Sequence, residues 1–143
     1  ILRSIAVPPE EQQLPTNADI IKSLYAAFAR VDVPAVLGLL DPQIEWNEAE
    51  GVRYADRNPY RGPMAVAEGV FGRLIADVDQ FAAVPAAFID GGDRVVVEGR
   101  YKGKVKATGV LLDAQFAHVY TLREGRVIRF QQYTDTAQWA KAL

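Results

Sequence analysis

The stretch from Phe116 to Asp135 constrains the fold of this chain more than any other segment. Alternating side chains on both sides of Arg123-Glu124-Gly125 predict two β-strands joined by a tight turn. Alternation places three side chains on one face of this hairpin, namely Phe116, His118 and Tyr120. A face that mixes aromatic and polar groups is too polar for plain core and too aromatic for solvent. It is typical of the wall of a small-molecule cavity.

The glycine turn also predicts the pairing of the two strands. With Gly125 in the left-handed position of a three-residue loop, Leu122 is expected to pair with Arg126. The same register sets two further pairs, His118 with Phe130 and Phe116 with Gln132. The only histidine of the chain is therefore expected to face the interior.

Helical patterns come first along the chain, and strand patterns follow. A segment rich in Pro, Glu and Gln predicts a flexible arm at residues 1–17. The predicted helices run from a cap at Thr16 or Asn17 to about Arg30, from Asp32 to Asp41-Pro42, and from Gly62-Pro63 to about Asp77. Strands are predicted at about residues 44–48, 81–90, 94–102, 106–122 and 126–135. This order predicts one α+β domain at residues 18–143, with helices covering one face of an antiparallel sheet.

The composition argues against several classes of function. The absence of cysteine and the single histidine exclude disulfides, thiolate chemistry and multi-histidine metal sites, so we expect no metal. A net charge of −2 gives no electrostatic reason to bind nucleic acid. No apolar run is long enough to cross a membrane, and the opening residues lack the flanks of a signal peptide. We expect a cytoplasmic protein without a cofactor, since no glycine-rich loop opens a helix.

Three motifs carry a resemblance to a known family. They are Asp-Pro-Gln-Ile-Glu-Trp at residues 41–46, Tyr-Arg-Gly-Pro at 60–63, and the hairpin at 117–136. Together with the order of elements, they resemble the SnoaL-like branch of the nuclear-transport-factor-2-like superfamily over about residues 18–140. The resemblance implies a cone-shaped, cystatin-like barrel in which a strongly curved antiparallel sheet wraps around N-terminal helices. It also implies a pocket at the open end and a homodimer formed through the outer sheet face.

The superfamily includes ketosteroid isomerase, polyketide cyclases and limonene epoxide hydrolase, so the fold alone does not decide the activity. In ketosteroid isomerase, a tyrosine of the first helix and an aspartate of a later strand form the oxyanion hole, and another aspartate moves the proton. The resemblance places the helix tyrosine position at Leu24, with Tyr25 one residue away and expected to point elsewhere. It places the base at Glu48 and the second oxyanion residue at His118.

These positions lead to a candidate site. His118 and Glu48 are the predicted catalytic acid and base, with Glu48 orienting or charging the imidazole. Gly99 is expected to leave room on the same face of the sheet. The predicted substrate-binding residues are Trp46, Tyr60, Val97, Tyr101, Phe116, Tyr120, Phe130 and Gln132.

Two hypotheses of different classes follow from this site. In the first, the chain is a cofactor-free isomerase, cyclase or dehydratase that moves a proton on a hydrophobic, cyclic or polyketide-like molecule. In the second, it is a non-catalytic module that binds a small ligand or a protein partner in the same cone. A third interpretation is an assembly domain that acts only through its dimer face. The first two differ in whether His118 and Glu48 meet in a closed cavity or whether aromatic side chains fill it.

Overall fold

The computed structural model of this protein describes residues 14–143. Most of the predicted N-terminal arm therefore lies outside the described residues. The first helix, α1 (Asn17–Ala29), begins directly after Thr16. The Thr16 hydroxyl accepts a hydrogen bond from the Asp19 backbone N–H at 3.1 Å, and the Asp19 carboxylate accepts one from the Thr16 N–H at 3.1 Å. This capping box pairs two backbone donors that the helix itself leaves free.

The second helix is shorter than predicted. Helix α2 (Val33–Leu37) is capped by Asp32, and strand β1 (Leu40–Asn47) already begins three residues later. Pro42 therefore lies inside a strand. It falls where the pairing of β1 is irregular, between Leu40 and Glu45. Proline cannot donate a ladder hydrogen bond, so such an irregular position accommodates it.

The middle of the chain forms short elements and one interrupted helix. A 3-10 helix (Arg53–Arg57) and strand β2 (Tyr60–Arg61) occupy the predicted loop. Helix α3 (Pro63–Val66) continues through a π-helical segment (Ala67–Phe71) into helix α4 (Gly72–Asp77). The helix predicted from Gly62-Pro63 to about Asp77 is confirmed, and the π-helical turn within it was not predicted.

Four long strands and a final helix complete the domain. They are β3 (Val78–Asp90), β4 (Arg94–Val105), β5 (Leu111–Arg123), β6 (Arg126–Thr134) and α5 (Thr136–Ala142). The six strands form one sheet in the order β2-β1-β6-β5-β4-β3. Helix α1 packs against β3 and β4, while α3 packs against β1 and β2. The predicted α+β class with a curved sheet and N-terminal helices is confirmed.

Two details of the sheet differ from the prediction. The sheet is open, with β2 and β3 as its edges, and is not a closed barrel. In addition, β1 and β6 pair in parallel, with Trp46 opposite Phe130, whereas the other neighbouring strands are antiparallel. Within residues 14–143, no helix is both long enough and apolar enough to cross a membrane.

The register of the final hairpin was predicted incorrectly. The turn contains two residues, Glu124 and Gly125, with φ values of 52° and 75°, a pattern typical of a type I′ turn. The pairing shifts between Thr121 and Leu122, and the resulting pairs include His118 with Gln132, Tyr120 with Phe130, and Phe116 with Thr134. Because the predicted pairs are displaced by two residues, every side chain remains on its predicted face.

Candidate functional site

A small cavity lies between the helices and the inner face of the sheet. It leaves about 50 Å³ of space for the centres of water-sized molecules. This space holds a few waters or a small group of a ligand, since one water needs roughly 10–15 Å³ on this measure. Its apolar lining comes from Leu24, Phe28, Val70, Phe71, Leu74, Phe81 and Ala83. Its aromatic and polar lining comes from Tyr25, Trp46, Glu48, Tyr101, His118, Tyr120, Phe130 and Gln132.

Most of the predicted site residues come together in this cavity. Those that line it are His118, Glu48, Trp46, Tyr101, Tyr120, Phe130 and Gln132. Trp46 and Phe130 stack with their ring centroids 3.7 Å apart, because the parallel pairing of β1 and β6 sets them opposite each other. The inward face of the final hairpin is thus one wall of the cavity, and the end of β1 is another.

Three predicted substrate-binding residues are buried but lie outside the cavity lining. The Tyr60 hydroxyl donates to the Tyr54 carbonyl at 2.5 Å, which directs it into the loop after β1. Val97 is fully buried and pairs with His118 across the two central strands. The Phe116 ring stacks on the His118 ring with centroids 4.0 Å apart. These side chains pack behind the lining.

The space expected at Gly99 is occupied. A Cβ at this position would lie 2.2 Å from the Val84 carbonyl oxygen and 2.6 Å from the Phe116 ring. The missing side chain therefore lets β3 and Phe116 approach β4 closely. It does not enlarge the cavity.

His118 is held by two tyrosines. Its Nδ1 is hydrogen-bonded to the Tyr25 hydroxyl and its Nε2 to the Tyr101 hydroxyl. Burial lowers the pKa of His118 from 6.5 to about 3, because the charged imidazolium loses its hydration. The imidazole is therefore neutral at physiological pH, and neither ring nitrogen is free to contact a ligand.

Tyr25 is the functional residue that sequence reasoning missed. Its side chain was expected to point elsewhere, but it is buried, lines the cavity, and its hydroxyl lies 2.9 Å from the Tyr120 hydroxyl. Burial raises its pKa well above the usual value, so it remains a phenol. The spacing of Ile21, Leu24, Tyr25 and Phe28 was an available signal, because positions i, i+3, i+4 and i+7 share one helix face.

Glu48 is a buried carboxyl just after β1. Its Oε2 accepts a hydrogen bond from Trp46 Nε1 at 3.0 Å. The Asn58 side chain holds the Glu48 backbone, accepting from the N–H at 3.0 Å and donating to the carbonyl at 2.7 Å. Burial raises the pKa of Glu48 to about 7, against the opposing effects of the Trp46 hydrogen bond and the Arg73 charge. Both protonation states are consequently populated near neutral pH.

Glu48 and His118 do not form the direct pair that was predicted. Within residues 14–143, no hydrogen bond joins them, and the two tyrosines orient the imidazole instead. Gln132 connects the two regions, since its Oε1 accepts from the Ala49 N–H at 2.9 Å and its Nε2 donates to the Tyr101 hydroxyl at 2.7 Å. No group of three or more carboxylate or histidine side chains that could hold a metal ion occurs in this part of the chain.

Known proteins place this chain in a family. Solved structures similar to it include an NTF2-like protein from Burkholderia thailandensis E264, which is 34% identical with a TM-score of 0.86, covering 90% of this chain and 98% of that one. An NTF2-like protein of unknown function from Burkholderia pseudomallei K96243 is 26% identical with a TM-score of 0.81, at the same coverage. TerC, co-crystallised with polyporic acid, is 27% identical with a TM-score of 0.78, covering 88% of this chain and 96% of its own.

A comparison with curated proteins gave no match. Residues 21–130 match the SnoaL-like domain family, which confirms the resemblance found in the sequence. The fold, the matched residues and the related structures agree, and the chain belongs to the SnoaL-like domain family within the NTF2-like fold.

Proposed function

We propose that this protein binds a small hydrophobic cyclic molecule and moves a proton on it by acid–base chemistry, without a cofactor. One observation carries the proposal: Glu48 is a buried carboxyl in an aromatic cavity, with its pKa raised to about 7. A general acid or base works best when its pKa lies near the operating pH. Buried carboxyls with raised pKa values are concentrated at functional sites.

Glu48 is the proposed base. As a carboxylate it removes a proton from a carbon next to a ligand carbonyl, and as a carboxylic acid it returns the proton to the same or another position. Proton return at a different carbon is isomerisation, and loss of a leaving group from the intermediate is dehydration. The Trp46 indole holds one carboxylate oxygen at 3.0 Å and so fixes the direction of the other.

His118 is proposed to act through the tyrosines. A neutral imidazole with both nitrogens bonded holds the hydroxyls of Tyr25 and Tyr101 in place. Buried tyrosine hydroxyls that remain protonated donate hydrogen bonds to the negative oxygen that forms when a proton leaves the neighbouring carbon. In this proposal His118 is a positioning residue, and Glu48 is the residue that transfers the proton.

The ligand class follows from the lining. Apolar and aromatic side chains dominate, which favours a hydrophobic molecule with few polar groups. The co-crystal of TerC with polyporic acid supports a small organic ligand for this kind of pocket. The available space is smaller than a ring system, so we propose that the partly buried rings of Phe28 and Phe81 move when a ligand enters.

Hydrogen–deuterium exchange tests the proposed chemistry. A panel of cyclic and bicyclic ketones is incubated in D₂O with the wild-type protein, and exchange next to the carbonyl is followed by NMR. We expect a rate that rises with pH through about 7, as Glu48 loses its proton. The Glu48→Gln variant should lose about 10²–10⁴-fold of the catalysed rate. Glu50→Gln, at an exposed position two residues away, is the matched control.

The same experiment contains its own contradiction. Ketones that bind the wild-type protein but exchange no faster than in buffer would rule out proton transfer on this class of molecule. The non-catalytic binding module would then be the better account of the cavity. Binding is measured separately, from the perturbation of protein amide signals during titration.

A further inference from the structure

Five side chains form one continuous chain of hydrogen bonds along the cavity. In order, they are Gln132, Tyr101, His118, Tyr25 and Tyr120. The chain begins at the backbone N–H of Ala49, which donates to Gln132 at 2.9 Å. It ends at the Tyr120 hydroxyl, whose only hydrogen-bond partner among residues 14–143 is Tyr25 at 2.9 Å. The chain thus runs from the residue next to Glu48 to the opposite side of the cavity.

The first link has a defined direction. A backbone N–H can only donate, so the group of Gln132 that faces Ala49 is the carbonyl oxygen. The amide nitrogen of Gln132 is then the atom that donates to the Tyr101 oxygen at 2.7 Å. A flipped amide would set two donors against each other at Ala49.

The direction of the first link favours one direction for the remaining links. Tyr101 has one hydrogen, and having accepted from Gln132 it donates that hydrogen to His118 Nε2. A neutral imidazole has one donor and one acceptor nitrogen, so Nδ1 then carries the proton and donates to Tyr25. Tyr25 in turn donates to Tyr120. The opposite direction would make the Tyr101 oxygen accept two hydrogen bonds, whereas in this one each bond polarises the next.

One hydrogen remains unpaired in this arrangement. The Tyr120 oxygen accepts from Tyr25, so its own hydrogen has no partner among the described residues. Tyr120 lines the cavity that Glu48 also lines. We propose that the hydrogen-bond chain is directed from Ala49 to Tyr120, and that the free Tyr120 hydroxyl hydrogen recognises an acceptor oxygen of the ligand, as in a ketone or quinone.

This inference rests on the pocket of the proposed function and names the group of the ligand that the pocket recognises. It excludes, as good ligands, molecules of the same shape that have only a hydroxyl hydrogen or a hydrocarbon edge at this point. A ligand that leaves a buried hydroxyl unpaired loses affinity, because the desolvated donor gains no new partner.

The free protein provides the first test. The chain contains one histidine, so a two-bond ¹H–¹⁵N correlation spectrum of histidine-labelled protein shows a single imidazole. We expect the Nδ1–H tautomer, with Nε2 unprotonated, at pH 7. An Nε2–H tautomer or a protonated ring would overturn the proposed direction. This result does not depend on catalysis or on any ligand, so it separates failure of the inference from failure of the proposed function.

A variant tests the role of Gln132. In Gln132→Glu at pH 9, a carboxylate accepts from both the Ala49 N–H and the Tyr101 hydroxyl, which reverses the chain. We expect His118 to change to the Nε2–H tautomer. Gln131→Glu, on the neighbouring position of the same strand with its side chain on the other face, should leave the tautomer unchanged. An unchanged tautomer in Gln132→Glu would show that Gln132 does not set the direction.

A matched pair of probes tests the ligand group. 1-Indanone and indane differ in one carbonyl oxygen, and their dissociation constants are measured by NMR titration. We expect the wild-type protein to prefer the ketone by about 3–10-fold more than the Tyr120→Phe variant does. The surface variant Tyr133→Phe should keep the wild-type preference. An equal preference in Tyr120→Phe, or no binding of the ketone to the wild-type protein, would overturn the assignment of Tyr120.

Discussion

At the scale of single residues, burial acts on Glu48 and His118 in opposite directions. Both side chains are almost fully buried, and each is held in its neutral form because a charged form would lose its hydration. The pKa of the carboxyl therefore rises to about 7, while the pKa of the imidazole falls to about 3. The two groups contribute to stability in opposite ways as the pH changes.

The sign of each contribution follows from linkage. Glu48 has a raised pKa, so its contribution to stability is fully present below 4.5 and is lost as the pH rises through about 7. His118 has a lowered pKa, so its contribution is present above 6.5 and is lost as the pH falls towards about 3. Between 4.5 and 6.5 the two dependences oppose each other, and stability changes little with pH.

The Glu48→Gln variant isolates the carboxyl contribution. Relative to wild type, we expect this variant to gain about 3 kcal/mol more stability at pH 8.5 than at pH 4, because the wild-type protein must ionise a buried group and the amide cannot. Urea unfolding at the two pH values measures the difference. Glu50→Gln should show no such dependence, since that side chain is exposed. A stability difference that is constant with pH would contradict the raised pKa.

The residues of the site were predictable where one strand determines them. Alternation along β5 places His118 and Tyr120 inward whatever the register, so their presence in the cavity follows from local sequence. Tyr25 was missed because the resemblance to ketosteroid isomerase drew attention to Leu24, whereas both side chains lie on the buried face of α1. The bonding of both His118 nitrogens was not predictable, because Tyr25 is 93 positions away along the chain.

At the scale of elements, the pairing of strands brings the site together. The parallel pairing of β1 with β6 sets Trp46 beside Phe130 and brings Ala49 within hydrogen-bond distance of Gln132. The sequence predicted β1 as a strand but not its partner. The hairpin register was wrong by two residues and the faces were still right, because side chains alternate with a period of two.

The close packing of β3, β4 and β5 makes a prediction about Gly99. A Cβ added there meets the Val84 backbone oxygen at 2.2 Å and the Phe116 ring at 2.6 Å. The backbone of β3 cannot move away freely, so we expect Gly99→Ala to lower the free energy of unfolding by about 1–3 kcal/mol. Urea denaturation of purified protein measures this change.

Gly38→Ala is the matched control for this substitution. Its added Cβ meets the carbonyl oxygens of Pro34 and Ala35 at 3.5 and 3.6 Å, which are ordinary contacts. We expect a change of no more than about 0.5 kcal/mol for the control. Equal stabilities of the two alanine variants would show that β3 and Phe116 do not pack on Gly99 as described.

At the scale of the whole molecule, the outer face of the sheet presents apolar groups to solvent. Val84, Ile89 and Tyr133 have exposed fractions of 48%, 48% and 57%. They alternate along their strands with inward residues, and charged side chains such as Glu98 and Arg100 lie among them. We propose that this face forms the homodimer expected from the family resemblance, since a mixed apolar and charged surface suits an interface.

Sedimentation velocity tests the dimer. We expect the wild-type protein to sediment as a dimer, and Tyr133→Asp to weaken dimerisation at least about tenfold because it adds a charge to an apolar contact. Met64→Asp is the control, since Met64 has an exposed fraction of 63% on α3, away from the sheet. A wild-type protein that is monomeric at all concentrations would contradict the proposal.

By itself, the sequence determined the α+β class, the faces of the strands and most residues of the cavity. Local periodicity is enough for these, because a period of two or of 3.6 residues assigns a side chain to a face without reference to distant partners. Only the tertiary structure decided that Tyr25 and Tyr101 hold His118, that Gln132 connects Ala49 to them, and that Phe116 occupies the space at Gly99. These features are contacts between elements far apart in the chain, and they depend on how closely the helices and strands pack.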